Sequence, residues 1–332
     1  MNDLASIAKA LLASGKGIFA ADESPTSADK RLSSHGEKPG ALSRWEFRDL
    51  FLATPGIEEY LTGVILHEET LFQTADNDVS FSKLLRGRGI IPGIKVDEGT
   101  EPLPGNPDEL ITKGLIGLPE RLADYRDRHE AGFTKWRAVI KIDGDRLPSS
   151  AALVENAKRL ATYARNVQEA GMVPIVEPEV LYDGSHSRLR SKEVIEQTLT
   201  TVISALVDNA VDLGGLIVKT SMALSGKETK RIDAPEDVAK DTVAALMSAV
   251  PKEVAGVVFL SGGQTPEQSM ANLAAIEKEA KAMHAPWPLT FSFSRAFQDD
   301  ALDIWQGKDE NVEAAREAFR KRLKEACATL AG

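Results

Sequence analysis

The sequence predicts an α/β chain closed into a (β/α)8 TIM barrel, and three observations point there. Eight short runs rich in Val, Ile, Leu and Phe recur along the 332 residues, each ending in a polar or charged residue. Stretches of helical periodicity separate them, so strands and helices alternate. No glycine-rich G-x-G-x-x-G turn follows the first run, which favours a closed barrel over an open doubly wound sheet. Near-continuous apolar strands are buried on both faces, as parallel strands are. With 42% hydrophobic residues the chain can cover a large core. No linker, low-complexity tract or internal repeat divides it, so residues 1–332 read as one barrel domain.

In chain order, residues 1–12 read as an amphipathic helix and not a signal peptide, because Asp3 precedes a short apolar stretch that Ser6 and Lys9 interrupt. The first strand, 17–21, leads into a helix opened by Ser27, Lys30 and Arg31, and a helix at 44–52 precedes the second strand, 63–66. The third strand is 90–96. Residues 97–118, rich in Pro and Gly, read as a long loop over a barrel end. A helix at 119–130, the fourth strand at 134–140 and a helix at 149–170 follow; Ser149 caps that helix behind Pro148, and Gly171 stops it. The fifth strand (172–176), a helix (187–211), the sixth strand (213–218) and a helix (235–249) come next. The seventh strand (255–260), a helix (266–283) and the eighth strand (289–293) complete the alternation, and helices near Asp300 and at 310–328 end it. Pro119, Pro235 and Pro266 sit at helix starts, where a missing N–H costs nothing.

Forty basic against fifty acidic residues give a net charge of -10, which repels nucleic-acid backbones and anionic membrane surfaces alike. A small phosphorylated metabolite still fits wherever Lys, Arg and backbone N–H groups converge. Cys327 is the single cysteine, so no internal disulfide forms and a reducing, cytoplasmic setting is expected. No apolar run approaches the roughly 18 residues of a membrane span. His35, His67, His129, His186 and His284 are scattered without ligand spacing, so neither a metal nor another cofactor is expected. Ser225-Gly226-Lys227 lacks the remainder of a phosphate-binding P-loop and is set aside.

Barrel active sites lie at the C-terminal strand ends. In order, those ends offer Asp22 with Glu23 and Ser24, Lys95, Lys135 and Arg137, Glu177 and Glu179, Lys219, Ser261 to Gly263, and Ser292 with Arg295. A single charged residue leaving a strand most often just reaches water. The joint pattern is harder to explain so: period two puts Lys135, Arg137 and Val139 on one face, and likewise Glu177 and Glu179. Charges gathered inside a barrel mouth are costly unless used.

Lys219 ends the most apolar approach to any lysine in the chain. Desolvation and a neighbouring cation, for which Lys135 is the candidate, both disfavour its ammonium form and free a nucleophilic amine. An amine attacks a ketone, and the imine is an electron sink for carbon–carbon cleavage. Glu177 is placed to move protons during imine formation, and Asp22 to take the proton of the hydroxyl whose collapse breaks the bond. Ser261, Gly262 and Gly263, with Ser292 and Arg295 after the next strand, fit the phosphate site that barrels build in these two loops. Ser27, Lys30 and Arg31 offer a second phosphate site, with a solvated helix face as an equal alternative.

These residues stand within stretches that resemble the class I fructose-bisphosphate aldolases from about Leu4 to Leu323. The matching stretches include Gly15-Lys16-Gly17-Ile18-Phe19-Ala20-Ala21-Asp22-Glu23-Ser24, Gly93-Ile94-Lys95-Val96-Asp97, Lys135-Trp136-Arg137 and Val173-Pro174-Ile175-Val176-Glu177-Pro178-Glu179. Phe259-Leu260-Ser261-Gly262-Gly263-Gln264 and Leu289-Thr290-Phe291-Ser292 belong with them. The resemblance implies that Lys219 is the Schiff-base lysine and Glu177 the acid/base, with Asp22 and Lys135 the remaining catalytic pair. It places Ser27, Lys30, Arg31, Lys95 and Arg137 on substrate contacts, and Ser261 to Gly263, Ser292 and Arg295 on the C1 phosphate; Glu179 joins the substrate-contacting set. It further implies a metal-independent homotetrameric barrel acting on a phosphorylated ketose in glycolysis and gluconeogenesis.

Three departures stand out. Thr220-Ser221 replaces the family's usual Pro-Asn after the lysine, and Phe293-Ser294-Arg295 replaces Tyr-Gly-Arg. The sequence ends at Gly332 without the tail and terminal tyrosine of many relatives, so another group or water is expected to protonate the enamine carbon. Two other readings fit: an imine enzyme for another ketose, such as tagatose bisphosphate, and a non-catalytic member, which retention of Lys219 and Glu177 opposes.

Overall fold

The computed structural model describes residues 3–75 and 78–330. The strands are β1 (Gly17–Ala21), β2 (Leu61–Leu66), β3 (Ile91–Lys95), β4 (Thr100–Leu103), β5 (Asn106–Thr112), β6 (Phe133–Ile140), β7 (Val173–Val180), β8 (Ile217–Thr220), β9 (Gly256–Phe259) and β10 (Leu289–Phe293). Eight of them close a parallel barrel in the order β1, β10, β9, β8, β7, β6, β3, β2, as the alternating pattern predicts. β4 and β5 stand apart as an antiparallel hairpin. That refines the reading of 97–118 as a long loop over a barrel end: Leu103 and Ile111 pack on Ala152, and Gly105 turns the chain at φ +82. Pro102 and Pro104 break the period-two pattern that would have exposed the strands.

The helices are α1 (Leu4–Leu11), α2 (Pro25–Ser34), α3 (Ala41–Leu52), α4 (Glu68–Leu71), α5 (Phe81–Gly87) and α6 (Leu118–His129). Then come α7 (Ser150–Glu169), α8 (Arg188–Asp208), α9 (Pro235–Ala249), α10 (Pro266–Ala282), α11 (Arg295–Trp305) and α12 (Val312–Thr329). Local signals set many ends. Ser149 accepts the N–H of Ala152 at 3.2 Å, Thr265 and Gln268 form a reciprocal capping box, and Gly171 leaves α7 at φ +77. The short helices α4 and α5 escape sequence reading because one or two turns are too brief to show a period.

Strand alternation separates two cores. Trp136, Val176, Val218 and Phe259 face outward and pack under the helices. Phe133, Val173, Ile175 and Ile217 point into the barrel, where Ala8 and Leu11 of α1, with Leu12, join them and seal the bottom. Close approach demands glycine there. A Cβ on Gly93 would lie 2.3 Å from the Phe133 ring, and one on Gly63 2.7 Å from Leu11 Cδ2. Among the described residues no helix is long and apolar enough to cross a membrane.

Gly93→Ala should therefore strain the barrel floor and cost about 1–3 kcal/mol, as overpacking does. A urea unfolding midpoint equal to that of the parent chain would show that Phe133 can move aside.

Candidate active site

Alternation carries on upward from the sealed floor. Two residues past Ile217 the inward position is Lys219; two past Phe133 it is Lys135; two past Ile175 it is Glu177. Two barrel strands run past the last residue of their apolar stretches. β7 continues through Glu177, Pro178 and Glu179, and β8 starts only at Ile217, so Lys219 lies within its strand. Regular backbone thus fixes these side chains, and the register sets Arg137 beside Glu177 and Val139 beside Glu179.

The inward side chains line the floor and one wall of a cavity of about 680 Å³ at the C-terminal end of the barrel. Four charges form a chain on its floor. Asp22 Oδ2 lies 2.6 Å from Lys135 Nζ; Lys135 Nζ is 3.0 Å from Glu177 Oε2; Glu177 Oε1 is 3.0 Å from Lys219 Nζ. Lys135, Glu177 and Lys219 are each 3% exposed, so these contacts are made out of bulk water. Burial opposes ionisation of Asp22, but the ammoniums of Lys135 and Lys219 outweigh it and hold its pKa well below the carboxylate range. Glu177 is treated alike: burial pushes it up, and Lys135 and Lys219 pull it below its ordinary value. Burial disfavours the Lys135 cation, yet Asp22 and Glu177 prevail and raise its pKa.

The expectation that Lys135 acts on Lys219 simply as a neighbouring cation needs correction. Lys135 is itself clamped between two carboxylates, and the two lysines share Glu177, one on each oxygen. What reaches Lys219 directly is a carboxylate.

Paired charges also make up the side wall. Lys95 Nζ meets Asp97 Oδ1 at 2.6 Å, Arg137 Nε pairs with Glu179, and Arg137 N–H donates to Asp97 Oδ2 at 3.2 Å. Opposite them stand Ser261, Gly262, Ser292 and Arg295. Gly262 and Gly263 have φ of +60 and +88, so the loop takes a left-handed turn that glycine adopts freely. Gly263 is not on the cavity surface but backs Arg295, whose Nη2 would lie 3.3 Å from a Cβ there. Among the described residues, the Arg295 guanidinium has no carboxylate partner and the buried Ser292 hydroxyl no hydrogen bond. An unpaired guanidinium, a free hydroxyl and exposed loop N–H groups together suit an anion.

The second basic cluster is only partly brought in. Ser27 lines the cavity, but Lys30 is exposed off its wall, and Arg31 turns to Asp299 at 2.6 Å. Two anchors of the site carry no clear sequence signal: Asp97 and, behind the first strand, buried Arg48. Arg48 Nη1 holds Glu23 Oε2 at 3.0 Å, while Ser294 Oγ donates to Glu23 Oε1 at 3.0 Å. Arg48 sits in an amphipathic helix that gives no sign of which arginine turns inward. After Lys219, Ser221 Oγ donates to the Val180 carbonyl at 2.8 Å, tying β8 to the end of β7. Among the described residues no group of three or more His, Cys, Asp or Glu is arranged to hold a metal ion.

Lys135→Met would leave Asp22 and Glu177 facing each other without their shared cation, at a cost of about 3–5 kcal/mol near pH 7. Both carboxylates have depressed pKa values, so their stabilising contribution is full above their unfolded values of 3.8 and 4.5 and fades as pH falls through the folded ones. Urea titrations should show the gap between wild type and variant narrowing below about pH 4; a gap independent of pH would refute the coupling.

Comparison with known proteins agrees with this geometry. Residues 3–332 match the family described as fructose-bisphosphate aldolase class-I. A probable fructose-bisphosphate aldolase class 1 of Xanthomonas campestris is 45% identical over 98% of this chain and 96% of its own. Fructose-bisphosphate aldolase C of Pan troglodytes is 46% identical over 97% of this chain and 88% of its own. A solved fructose-bisphosphate aldolase of Plasmodium falciparum, in complex with TRAP and a small-molecule inhibitor, superposes with a TM-score of 0.94 at 41% identity, covering 98% of this chain and 93% of that one. With the barrel, the buried lysine pair and matches along nearly its whole length, the chain belongs to the class I fructose-bisphosphate aldolases.

Proposed function

We propose that the protein cleaves fructose 1,6-bisphosphate reversibly into dihydroxyacetone phosphate and glyceraldehyde 3-phosphate, the aldol step of glycolysis and gluconeogenesis, with Lys219 as Schiff-base nucleophile. The observation that carries this is the single carboxylate shared by Lys219 and Lys135 on the floor of the cavity.

Glu177 accepts a proton from the Lys219 ammonium, and the freed amine forms a bond to the C2 ketone carbon. The C2 oxygen then takes one proton from the newly bonded nitrogen and a second back from Glu177 and leaves as water, giving the iminium. The C4 hydroxyl then loses its proton to Asp22, the C3–C4 bond breaks, and its electron pair moves into the iminium to form an enamine. Glyceraldehyde 3-phosphate departs. The enamine takes a proton at C3, and water hydrolyses the imine to release dihydroxyacetone phosphate and restore Lys219. Lys135, kept protonated by its two partners, keeps both carboxylates ionised and able to accept protons. Ser261, Gly262, Ser292 and Arg295 bind the C1 phosphate, with Gly263 as backing for Arg295. Lys95, Arg137, Glu179 and Ser27 meet the remainder of the ketose; Lys30, exposed off the cavity wall, does not, and Arg31 keeps Nε and Nη1 unpartnered while its Nη2 holds Asp299.

Incubation with dihydroxyacetone phosphate followed by borohydride should fix a three-carbon adduct on Lys219 that survives EDTA and is absent from Lys219→Met. Asp22→Asn should keep that adduct yet lose about 10²–10⁴ in kcat for cleavage. An adduct elsewhere, or none, overturns the assignment. The same family reading makes the protein a homotetramer, for which light scattering would give four times 35.9 kDa; a monomer mass would end that part of it.

A further inference from the structure

His67 lines the cavity but has no part in the steps above. It follows β2 directly and caps α4, where its Nδ1 accepts the Glu69 N–H at 3.2 Å. A ring nitrogen that accepts bears no proton, so in the neutral ring the hydrogen sits on Nε2. Burial, then the nearby Lys95 and Arg48 cations, pull the pKa of the ring down, which keeps it in that neutral form near pH 7. The cap therefore fixes both the tautomer and the direction of the donor. Among the described residues no acceptor takes the Nε2–H.

Position around the barrel decides what this donor meets. In the closed order β2 lies four strands from β8 by either route, so His67 stands across the mouth from Lys219. The anion pocket, by contrast, belongs to β9 and β10, on one side of Lys219. A ketose bonded at C2 to Lys219, with its C1 phosphate in that pocket, sends C4 to C6 towards the opposite sector. That sector holds β3 and β6; His67, after the neighbouring β2, borders it and lines the same cavity as Lys95 and Arg137.

We propose that His67 is a specificity-determining residue whose Nε2–H donates to an oxygen on the aldehyde half of the ketose bisphosphate. This rests on the Schiff-base reading of Lys219. The competing role is purely structural, as the cap of α4.

Two substitutions separate the roles. His67→Asn keeps an oxygen able to cap α4 but is too short to reach the cavity, whereas His67→Gln keeps an amide N–H near the position of Nε2. For cleavage of fructose 1,6-bisphosphate, His67→Asn should lose about tenfold in kcat/KM, and His67→Gln should recover to within about threefold of wild type, as expected for one substrate hydrogen bond. Borohydride trapping of dihydroxyacetone phosphate, which has no aldehyde half, should proceed at the wild-type rate in both, with unchanged thermal midpoints. Wild-type kcat/KM in His67→Asn, equal losses in the two variants, or a parallel fall in trapping would each overturn the proposal. Absence of the Lys219 adduct in the wild-type protein would instead remove the Schiff-base reading on which it stands.

Discussion

Lys135 lies between Asp22 and Glu177, and the charged half of the barrel depends on that contact. Three strands contribute to it: Asp22 follows β1, Lys135 is in β6 and Glu177 in β7, with Lys219 of β8 on the far oxygen. Removing any one of these ions leaves an uncompensated charge almost out of reach of water, where the penalty exceeds the value of the pair itself. The four groups are therefore stable only together. A buried network of this kind adds little net stability compared with apolar packing, so its presence reflects chemistry more than fold maintenance.

The apolar floor makes the network useful. Because α1 plugs the bottom and Phe133 fills the space left by Gly63 and Gly93, the inward positions below the charges exclude water. Each strand then changes character within two residues, Ile175 to Glu177 and Ile217 to Lys219, without leaving regular β geometry. A lysine presented on a strand above a dry floor has fewer alternative rotamers than one on a loop, and its carboxylate partner is set by register. The glycines below and the ions above belong to one design of the barrel interior.

Sequence made most of this legible where periodicity was strong. Six of the eight barrel strands fall on apolar runs that overlap them closely, and the shared face of Lys135 and Arg137 follows from period two alone. The sixth in chain order was displaced because Leu213–Gly215 forms a 3-10 turn before Ile217, and apolar composition does not distinguish the two. β7 was cut short at the first glutamate, since a strand end was expected to coincide with the first charge; in a barrel mouth the backbone continues past it. What stayed hidden is pairing across long separations. Nothing in the run from Ala41 to Leu52 marks Arg48 as the buried partner of Glu23, and nothing near Arg31 marks Asp299, far along the chain, as the partner of its Nη2.

Pairing also explains how an acidic protein holds a doubly phosphorylated sugar. Each carboxylate on the cavity surface has a cation: Asp22 and Glu177 with Lys135, Asp97 with Lys95, Glu179 with Arg137, Glu23 with Arg48 and Glu98 with Arg121. Arg48 and Arg121 reach in from α3 and α6, outside the barrel. By satisfying Glu23 and Glu98 from behind, they leave the cations that face the cavity in local excess. Ser294 supplies a second bond to Glu23 and so keeps that carboxylate engaged with its own partners, one residue away from Arg295. Arg295 remains uncommitted among the described residues, at the mouth where loop N–H groups and Ser292 also point. The net charge of -10 belongs to the whole surface; the potential that a phosphate meets is set by this local balance, and it is positive where the chain leaves an arginine without a carboxylate.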